Sequence, residues 1–245
     1  MIRGKAIRMA EGSIDTMENG AIRTEADIAR ALAALMEADP RLGPVLARAG
    51  EVPLRRSAGG LRGLLGTIVA QQVSRASADA IFARFAQEVD LDDASALNAA
   101  PDEALRRAGL SRPKMRTVRV IAEAVASGAL DFNRLQRLDA AGAIAEMTAV
   151  HGIGRWTAEC HLLFALGHPD VFPAGDLALQ IAVADALDLP ERPKEKPLAA
   201  IAALWSPHRA TAARLFWSYY HALTRRDAAP VEPEIGASPG ATNCA

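Results

Sequence analysis

The sequence predicts an all-α fold, and three observations support that prediction. Apolar residues recur every three or four positions along most of the chain, the period that places them on one face of a helix. Residues that begin or end helices, mainly Ser, Thr, Asp, Gly and Pro, fall between these apolar segments. No segment is typical of a β-strand. With 245 residues, half of them hydrophobic, the chain can bury one large core or two smaller lobes.

The N-terminal part is predicted to become ordered at its first helix. Residues 1–22 show no usable periodicity, so we expect them to be disordered. Thr24 is a suitable N-cap, and Asp27 three residues later forms an imperfect capping box before an apolar face begins. This helix should end before Pro40, and the Pro-rich and Gly-rich residues 40–60 predict a short helix between turns.

The rest of the chain is predicted to be a series of helices and a tail. Leu61–Phe85 has a strong amphipathic pattern that breaks at Gln71–Ser74, where we place a helix end or turn, with Ser74 or Ser77 capping the next helix. Further helices are expected at about 101–108, 113–127, 139–150, 177–187, 197–204 and 208–224. Residues 227–245 have no apolar face and should form a disordered tail, which leaves 23–226 as the folded part.

Composition excludes several classes of protein. No run approaches the roughly 18 apolar residues of a membrane span, and the charged N-terminus is unlike a signal peptide, so we expect a cytoplasmic protein. Two cysteines, Cys160 and Cys244, are too few for a disulfide framework, a zinc site or a four-cysteine iron–sulfur cluster. The formal net charge is −1, but the segments 104–122 and 196–226 carry Arg and Lys without Asp or Glu. They predict either one positive face or ordinary solvated helix surfaces.

Residues 141–176 contain the most informative pattern of the chain. Two apolar-striped segments flank His151-Gly152-Ile153-Gly154, which predicts two helices joined by a four-residue hairpin. Glycine at positions 152 and 154 allows positive φ and leaves no Cβ over the amides that begin the second helix. Those amides can bind a phosphate. The alternative is a tight turn between helices with no ligand.

The hairpin is followed by further residues that identify a family. The run G-I-G-R-W-T-A starts at Gly152, and Asp176 stands twenty positions after Trp156. This combination resembles the helix-hairpin-helix DNA glycosylases, most closely the DNA-3-methyladenine glycosylase II type, over about residues 60–222. The resemblance implies two helical lobes with the active-site cleft between them and a binding partner that is duplex DNA containing damaged bases. It also implies a monomer without an iron–sulfur cluster.

Asp176 is the candidate catalytic residue. Cleavage of an N-glycosidic bond builds positive charge on the sugar, and an ionised carboxylate beside it lowers the barrier and can orient the attacking water. The local sequence also makes Asp176 a good helix N-cap, and the two roles are compatible because a helix N-terminus stabilises a negative charge.

The resemblance also assigns a base pocket. Trp156 and Trp217 match positions that line it, and Cys160 stands where some relatives have an aromatic residue, so the stacking and the substrate range of the pocket depart from theirs. Bifunctional relatives carry a lysine at the position of Trp156, so no lyase chemistry is expected and water should be the nucleophile. Packing in a core is the alternative for each tryptophan, and Trp205 is expected to be structural.

Further site residues follow from the resemblance. The DNA-binding set would be Gly152, Gly154, Thr157, Gln71, Gln72 and Lys114. Within it, Gln71 and Gln72 would enter the minor groove and fill the gap left by the flipped nucleotide, although they can equally be surface amides at a helix break. The main-chain carbonyls of Thr148, Val150 and Ile153 would hold a monovalent cation that bridges to a DNA phosphate. Apart from that cation, no cofactor is expected.

The sequence therefore predicts a monofunctional glycosylase that acts on alkylated purines such as 3-methyladenine and 7-methylguanine. These bases already carry a positive charge and leave easily, so aromatic stacking and one carboxylate suffice. Three alternatives stay open: a related glycosylase for deaminated, oxidised or mismatched bases, a non-catalytic hairpin protein that binds DNA, and a helical scaffold for protein partners.

Overall fold

Two hydrophobic cores organise the protein, and one helix contributes to both. The computed structural model describes residues 20–226 and 228–229, and within them no β-strand occurs. The helices are α1 (Glu25–Ala38), α2 (Leu42–Ala49), α3 (Gly60–Ala70), α4 (Arg75–Glu88), α5 (Ala94–Ala99), α6 (Asp102–Ala108), α7 (Arg112–Ala126), α8 (Phe132–Leu135), α9 (Ala140–Ala149), α10 (Arg155–His161), α11 (Leu177–Ala186), α12 (Glu195–Ala202) and α13 (Arg209–Thr224). The all-α prediction is confirmed.

The first core is built by helices α3 to α9 and by one face of α10. The amphipathic face of α3 supplies its centre, where Leu64, Leu65 and Ile68 are at most 1% exposed. The predicted break after α3 is present, and Ser74 caps α4 by accepting a hydrogen bond from the Ser77 amide. Burial of these large aliphatic side chains stabilises the lobe because it removes apolar surface from water.

The second core is built by α1, α2, α11, α12, α13 and the other face of α10. The predicted cap of α1 is present as a complete capping box between Thr24 and Asp27. Trp205 lies at the centre, 1% exposed, and its indole N–H donates to Asp39 Oδ2 at 3.0 Å. The prediction that Trp205 is structural is confirmed.

Helix α10 joins the two cores. Ala158 and Leu162 pack into the first core, whereas Cys160 and Leu163 pack into the second. The helix continues as a π-helical turn over Leu162–Leu166, a feature that the sequence pattern did not predict. Because a π turn displaces backbone carbonyls, they need other donors, and here Arg214 Nη2 donates to the Leu163 carbonyl at 3.1 Å.

The ends of the folded part differ slightly from the predicted boundaries. Ile22 was assigned to the disordered segment, but it is 3% exposed and its amide donates to the Gly167 carbonyl at 2.8 Å. Ala228 and Ala229, assigned to the tail, pack against the second core. The remaining predictions of disorder, for residues 1–19, 227 and 230–245, lie outside the described residues. No helix in the described part of the chain is long and apolar enough to cross a membrane.

Candidate active site

Asp176 lies where two tryptophans and a helix N-terminus converge. Its Oδ1 accepts the Leu179 amide at 3.0 Å, which makes it the N-cap of α11. Trp156 Nε1 donates to Oδ2 at 3.0 Å, and Trp217 Nε1 donates to Oδ1 at 3.3 Å. Both carboxylate oxygens are therefore held by N–H donors, and the predicted capping role is confirmed.

Three separate elements bring these groups together. Trp156 is the second residue of α10, directly after the hairpin, and Trp217 lies in the middle of α13. The Trp217 ring stacks on Phe164 with 5.5 Å between ring centroids and 28° between planes. This stacking fixes the indole so that its N–H points at the carboxylate.

Asp176 lies half-buried beside an exposed surface. Its two carboxylate oxygens accept hydrogen bonds from three N–H donors, those of Trp156, Trp217 and Leu179. The next residue, Leu177, is 55% exposed although it is a large hydrophobic side chain. The carboxylate is thus held rigidly by the protein while the surface beside it is open to a ligand.

The three predicted wall residues of the base pocket are not equally accessible. Trp156 is half-buried, whereas Trp217 is 3% exposed and Cys160 is 1% exposed within the second core. Trp156 is therefore the member of this set with surface available for stacking. Assignment of the three to a base pocket stays a prediction.

The hairpin between α9 and α10 has two glycines in different roles. Gly152 has φ of +93°, and a Cβ there would lie 2.8 Å from Thr117 Oγ1 on α7. Gly154 has φ of −80° and is the N-cap of α10, and a Cβ there would meet nothing within 4 Å. The prediction of positive φ holds at 152 and is wrong at 154, where the chain is extended. Gly152 therefore allows close packing of the hairpin against α7, whereas Gly154 leaves the approach to the α10 amides open.

The hairpin carbonyls fit a cation by their chemistry. Thr148 lies in the last turn of α9, where carbonyls lack helical partners, and Val150 caps that helix. The Val150 carbonyl accepts the Ile153 amide at 3.1 Å, which closes the turn. Main-chain carbonyl oxygens are the ligands that alkali cations take in proteins. A cation held by these three residues stays a prediction.

The break between α3 and α4 forms a tight turn beside α10. Gln72 has φ of +58°, and Val73 is 39% exposed. Gln71 Nε2 donates to Thr157 Oγ1 at 2.9 Å, and Thr157 is 2% exposed. Lys114 Nζ donates to the carbonyls of Val69 at 2.6 Å and Gln71 at 2.9 Å. DNA contacts for Gln71, Gln72, Thr157 and Lys114 stay predictions, but three of these side chains already have partners inside the protein.

The predicted basic segments are only partly free of acidic neighbours. Arg107 pairs with Glu88 at 2.7 Å, and Arg209 pairs with Asp170 at 2.6 Å, because folding brings acids from other segments to them. Arg112 and Arg116 of α7 are exposed, and no carboxylate in the described part of the chain pairs with them. Arg112 and Arg116 are four positions apart and share one exposed face of α7, whereas Lys114, two positions from each, faces the turn at Gln71–Val73.

A buried carboxylate that the sequence pattern did not indicate lies on the other side of α10. Glu159 is 4% exposed, and Arg155 Nε lies 2.9 Å from its Oε1 and 3.7 Å from Glu195 Oε1. Burial raises the pKa of Glu159 to about 7, although Arg155 opposes that rise. The i, i+4 spacing with Arg155 was visible in the sequence, but it is typical of an exposed helix pair and gave no sign of burial.

His161 is a second buried polar side chain of α10. It is fully buried, and neither ring nitrogen has a hydrogen-bond partner among the described residues. Burial lowers the pKa of His161 to about 4, so the ring is neutral at physiological pH. His168, by contrast, accepts the Asp170 amide at 3.0 Å through Nδ1, as expected of a locally satisfied side chain.

Comparison with known proteins adds an independent result. Residues 65–207 match the model of the HhH-GPD superfamily base excision DNA repair proteins. The chain is 30% identical over 158 residues to DNA-3-methyladenine glycosylase 1 of Schizosaccharomyces pombe. The aligned region covers 63% of this chain and 69% of that protein. Among solved structures, it is similar to a DNA-3-methyladenine glycosidase from Bacillus halodurans, with a TM-score of 0.70, 33% identity and coverage of 82% and 93%. It is also similar to the S. pombe 3-methyladenine DNA glycosylase in complex with abasic DNA, with a TM-score of 0.69, 27% identity and coverage of 78% and 95%.

Proposed function

Because the chain belongs to the HhH-GPD superfamily of base excision DNA repair proteins, we propose that it is a monofunctional DNA glycosylase for alkylated purines. It flips 3-methyladenine or 7-methylguanine out of duplex DNA, hydrolyses the N-glycosidic bond and leaves an abasic site. The names of the relatives support this substrate class.

The observation that carries the proposal is the Asp176 carboxylate fixed by two indole N–H groups. Trp156 and Trp217 each donate one hydrogen bond to it, at 3.0 and 3.3 Å. A helix N-cap needs only the bond to the Leu179 amide, so two further donors from distant helices exceed what capping requires. They hold a negative charge in one place beside the open surface at Leu177.

The reaction follows from that charge. When the C1′–N bond of a methylated purine breaks, the bonding electrons go to the cationic base, which leaves as a neutral molecule. The positive charge moves to the deoxyribose, where the Asp176 carboxylate stabilises it. Water then adds to C1′ and loses its proton to the carboxylate or to solvent, which completes the hydrolysis.

The residue at position 156, shortly after the hairpin turn, is not an amine nucleophile. Trp156 stands where bifunctional relatives have a lysine, and its indole N–H is a donor that forms no Schiff base. The proposed product is therefore an intact strand with an abasic site. Trp156 also provides a partly exposed ring face on which a flipped base can stack.

DNA binding is proposed to use the hairpin and α7. The amides at the start of α10 lie behind Gly154, where no Cβ shields them, and can bind a phosphate. The carbonyls of Thr148, Val150 and Ile153 would hold a monovalent cation that adds positive charge at the same phosphate. Arg112 and Arg116 extend this positive surface along α7.

The experiment is identification of the bases released from methylated duplex DNA. We expect 3-methyladenine and 7-methylguanine in the supernatant and abasic sites without strand breaks. Asp176→Asn is the matched control and should release neither base. Release of deaminated or oxidised bases instead, from a panel of lesion-bearing duplexes, would favour the related glycosylase, and DNA binding without any abasic product would contradict an enzymatic function.

We further propose a cytoplasmic monomer. Asp176, Trp156 and Trp217 all belong to one chain, so the site needs no second copy. Sedimentation of the protein alone and bound to a short duplex should give masses of one protomer in both cases. A dimer in either state would contradict this part of the proposal.

A further inference from the structure

The turn between α3 and α4 contains a backbone conformation that residues other than glycine rarely adopt. Gln72 adopts φ of +58°, in the left-handed region that non-glycine residues enter only with backbone strain. Val73 follows with 39% of its surface exposed, although it is a β-branched hydrophobic residue. A strained turn with an exposed apolar tip persists only when its surroundings hold it.

Lys114 on α7 forms hydrogen bonds with the backbone at the start of this turn. Its ammonium group donates to the Val69 carbonyl at 2.6 Å and to the Gln71 carbonyl at 2.9 Å. Both carbonyls lie at the C-terminal end of α3, where a cation compensates the negative end of the helix dipole. Partial burial lowers the pKa of Lys114, as expected for an ammonium group that faces the protein instead of solvent.

Gln71 joins the same turn to the helix that carries the active-site tryptophan. Its Nε2 donates to Thr157 Oγ1 at 2.9 Å, and Thr157 is buried. Thr157 directly follows Trp156, whose indole donates to Asp176. A path of two hydrogen bonds and one peptide unit therefore connects the exposed turn to the carboxylate.

We propose that Gln71 and Lys114 are positioning residues, which fix the Gln72–Val73 turn relative to Asp176 so that the turn enters the duplex as the extruded nucleotide reaches the carboxylate. This inference rests on the proposed function. It separates two neighbouring glutamines that the sequence treats alike: the amide of Gln71 is bonded inside the protein, whereas the side chains of Gln72 and Val73 are exposed and available to DNA.

The distinction has a physical basis. Extrusion of a paired base from a duplex costs several kcal/mol, and a wedge returns that energy only if it fills the gap in the right place. A turn that moves by an ångström loses this benefit, whereas a base that is already unpaired needs little help. Loss of the Gln71–Thr157 bond should therefore affect paired lesions more than unpaired ones.

The first experiment compares two duplexes that carry a single 7-methylguanine. In one the lesion faces cytosine, and in the other it faces a tetrahydrofuran abasic analogue. Gln71→Ala and Thr157→Val should slow base release about 5- to 20-fold on the paired lesion, the loss expected for one buried hydrogen bond, and less than about 2-fold on the unpaired lesion. Gln87→Ala removes an exposed glutamine side chain near the C-terminal end of α4 and should behave as the unaltered protein.

The double variant tests whether the two residues act through one bond. Gln71→Ala with Thr157→Val should be no slower than either single variant, because each already removes the bond. Equal losses on both duplexes would show a merely structural role and overturn the inference, as would the absence of any loss.

A second measurement does not depend on catalysis. Insertion of the turn changes base stacking, so 2-aminopurine placed beside a tetrahydrofuran site should change its fluorescence when saturated with protein. Gln71→Ala and Thr157→Val should reduce that change, and Gln87→Ala should preserve it. If the unaltered protein releases no base from any lesion, the proposed function fails while this readout still decides the inference, and an unchanged signal in both variants overturns it.

Discussion

Two carboxylates, Asp176 and Glu159, lie at different faces of helix α10. They differ in the hydrogen-bond donors that the protein supplies to them. On the Trp156 face, half-buried Asp176 receives N–H donors from Trp156, Trp217 and Leu179. On the Arg155 face, Glu159 is 4% exposed and has one ion-pair partner, Arg155, whose side chain is itself 62% exposed. The protein gives Asp176 three N–H donors in place of water, whereas it removes water from Glu159 and supplies Arg155 in return.

This difference shows which face suits the reaction. Burial with too few donors raises the pKa of Glu159 to about 7, so this group binds a proton near neutral pH. A sugar cation is stabilised by a carboxylate that preorganised N–H dipoles hold in place, which is the environment of Asp176. The same contrast orders the effects that we expect from substitutions on the two faces.

The largest expected effect is that of Asp176→Asn on base release. The amide keeps the size of the side chain but removes its charge, so the rate constant for release should fall about 10³-fold, equivalent to about 4 kcal/mol. Single-turnover kinetics on methylated duplex measure this, and binding to a duplex with an abasic analogue should change less than about 3-fold. Glu159→Gln is the matched control and should retain nearly full activity; equal losses in the two variants would remove the distinction between the faces.

The next effect is the contribution of Glu159 to stability as pH changes. Its pKa is about 7 in the folded protein and 4.5 as the ordinary value, so the folded state holds more protons between these values. The free energy of unfolding should therefore fall as pH rises through this window, by up to about 3 kcal/mol from this group, and level off above pH 7. Urea unfolding at pH 5 and pH 8 measures it. Glu159→Gln should show a smaller difference between the two pH values, and an identical difference would contradict the assignment.

Trp217→Phe makes Asp176 more like Glu159 by removing one donor. The phenyl ring retains the stacking on Phe164, whereas the hydrogen bond to Oδ1 is lost. We expect base release to slow about tenfold, because a charged hydrogen bond contributes about 1.5 kcal/mol or more. Trp205→Phe is the control, because it removes an indole donor from the second core instead. It should lower the free energy of unfolding, but the rate of base release per folded molecule should fall much less than in Trp217→Phe.

The smallest effect concerns a third side of α10, where the ring nitrogens of His161 have no hydrogen-bond partner within residues 20–226 and 228–229. His161→Leu removes two unsatisfied nitrogens at nearly constant volume, so the free energy of unfolding should rise by about 1 kcal/mol. Thermal unfolding at pH 7 measures this as an increase of a few degrees in Tm. A decrease would indicate a partner for the ring that the fold requires.

Local features of the sequence determined the helices and their boundaries. Thr24 with Asp27, and Ser74 with Ser77, are caps that act within four residues, so they could be recognised without any knowledge of packing. The short helices Ala94–Ala99 and Phe132–Leu135 were missed because one or two turns are too short for a periodic pattern. The π turn at Leu162–Leu166 has no local signature, since its carbonyls are satisfied by residues far along the chain such as Arg214.

The sequence by itself therefore determined the all-α class, the hairpin and the candidate carboxylate, because these depend on spacing along one or two helices. Only the tertiary structure decided which groups meet: Trp217 reaches Asp176 across 41 positions, and Gln71 reaches Thr157 across 86. It also decided that Glu159 is buried and that the two neighbouring glutamines face different surroundings. Such contacts depend on how helices pack around two cores, and burial and hydrogen bonding between distant residues leave no periodic trace in the chain.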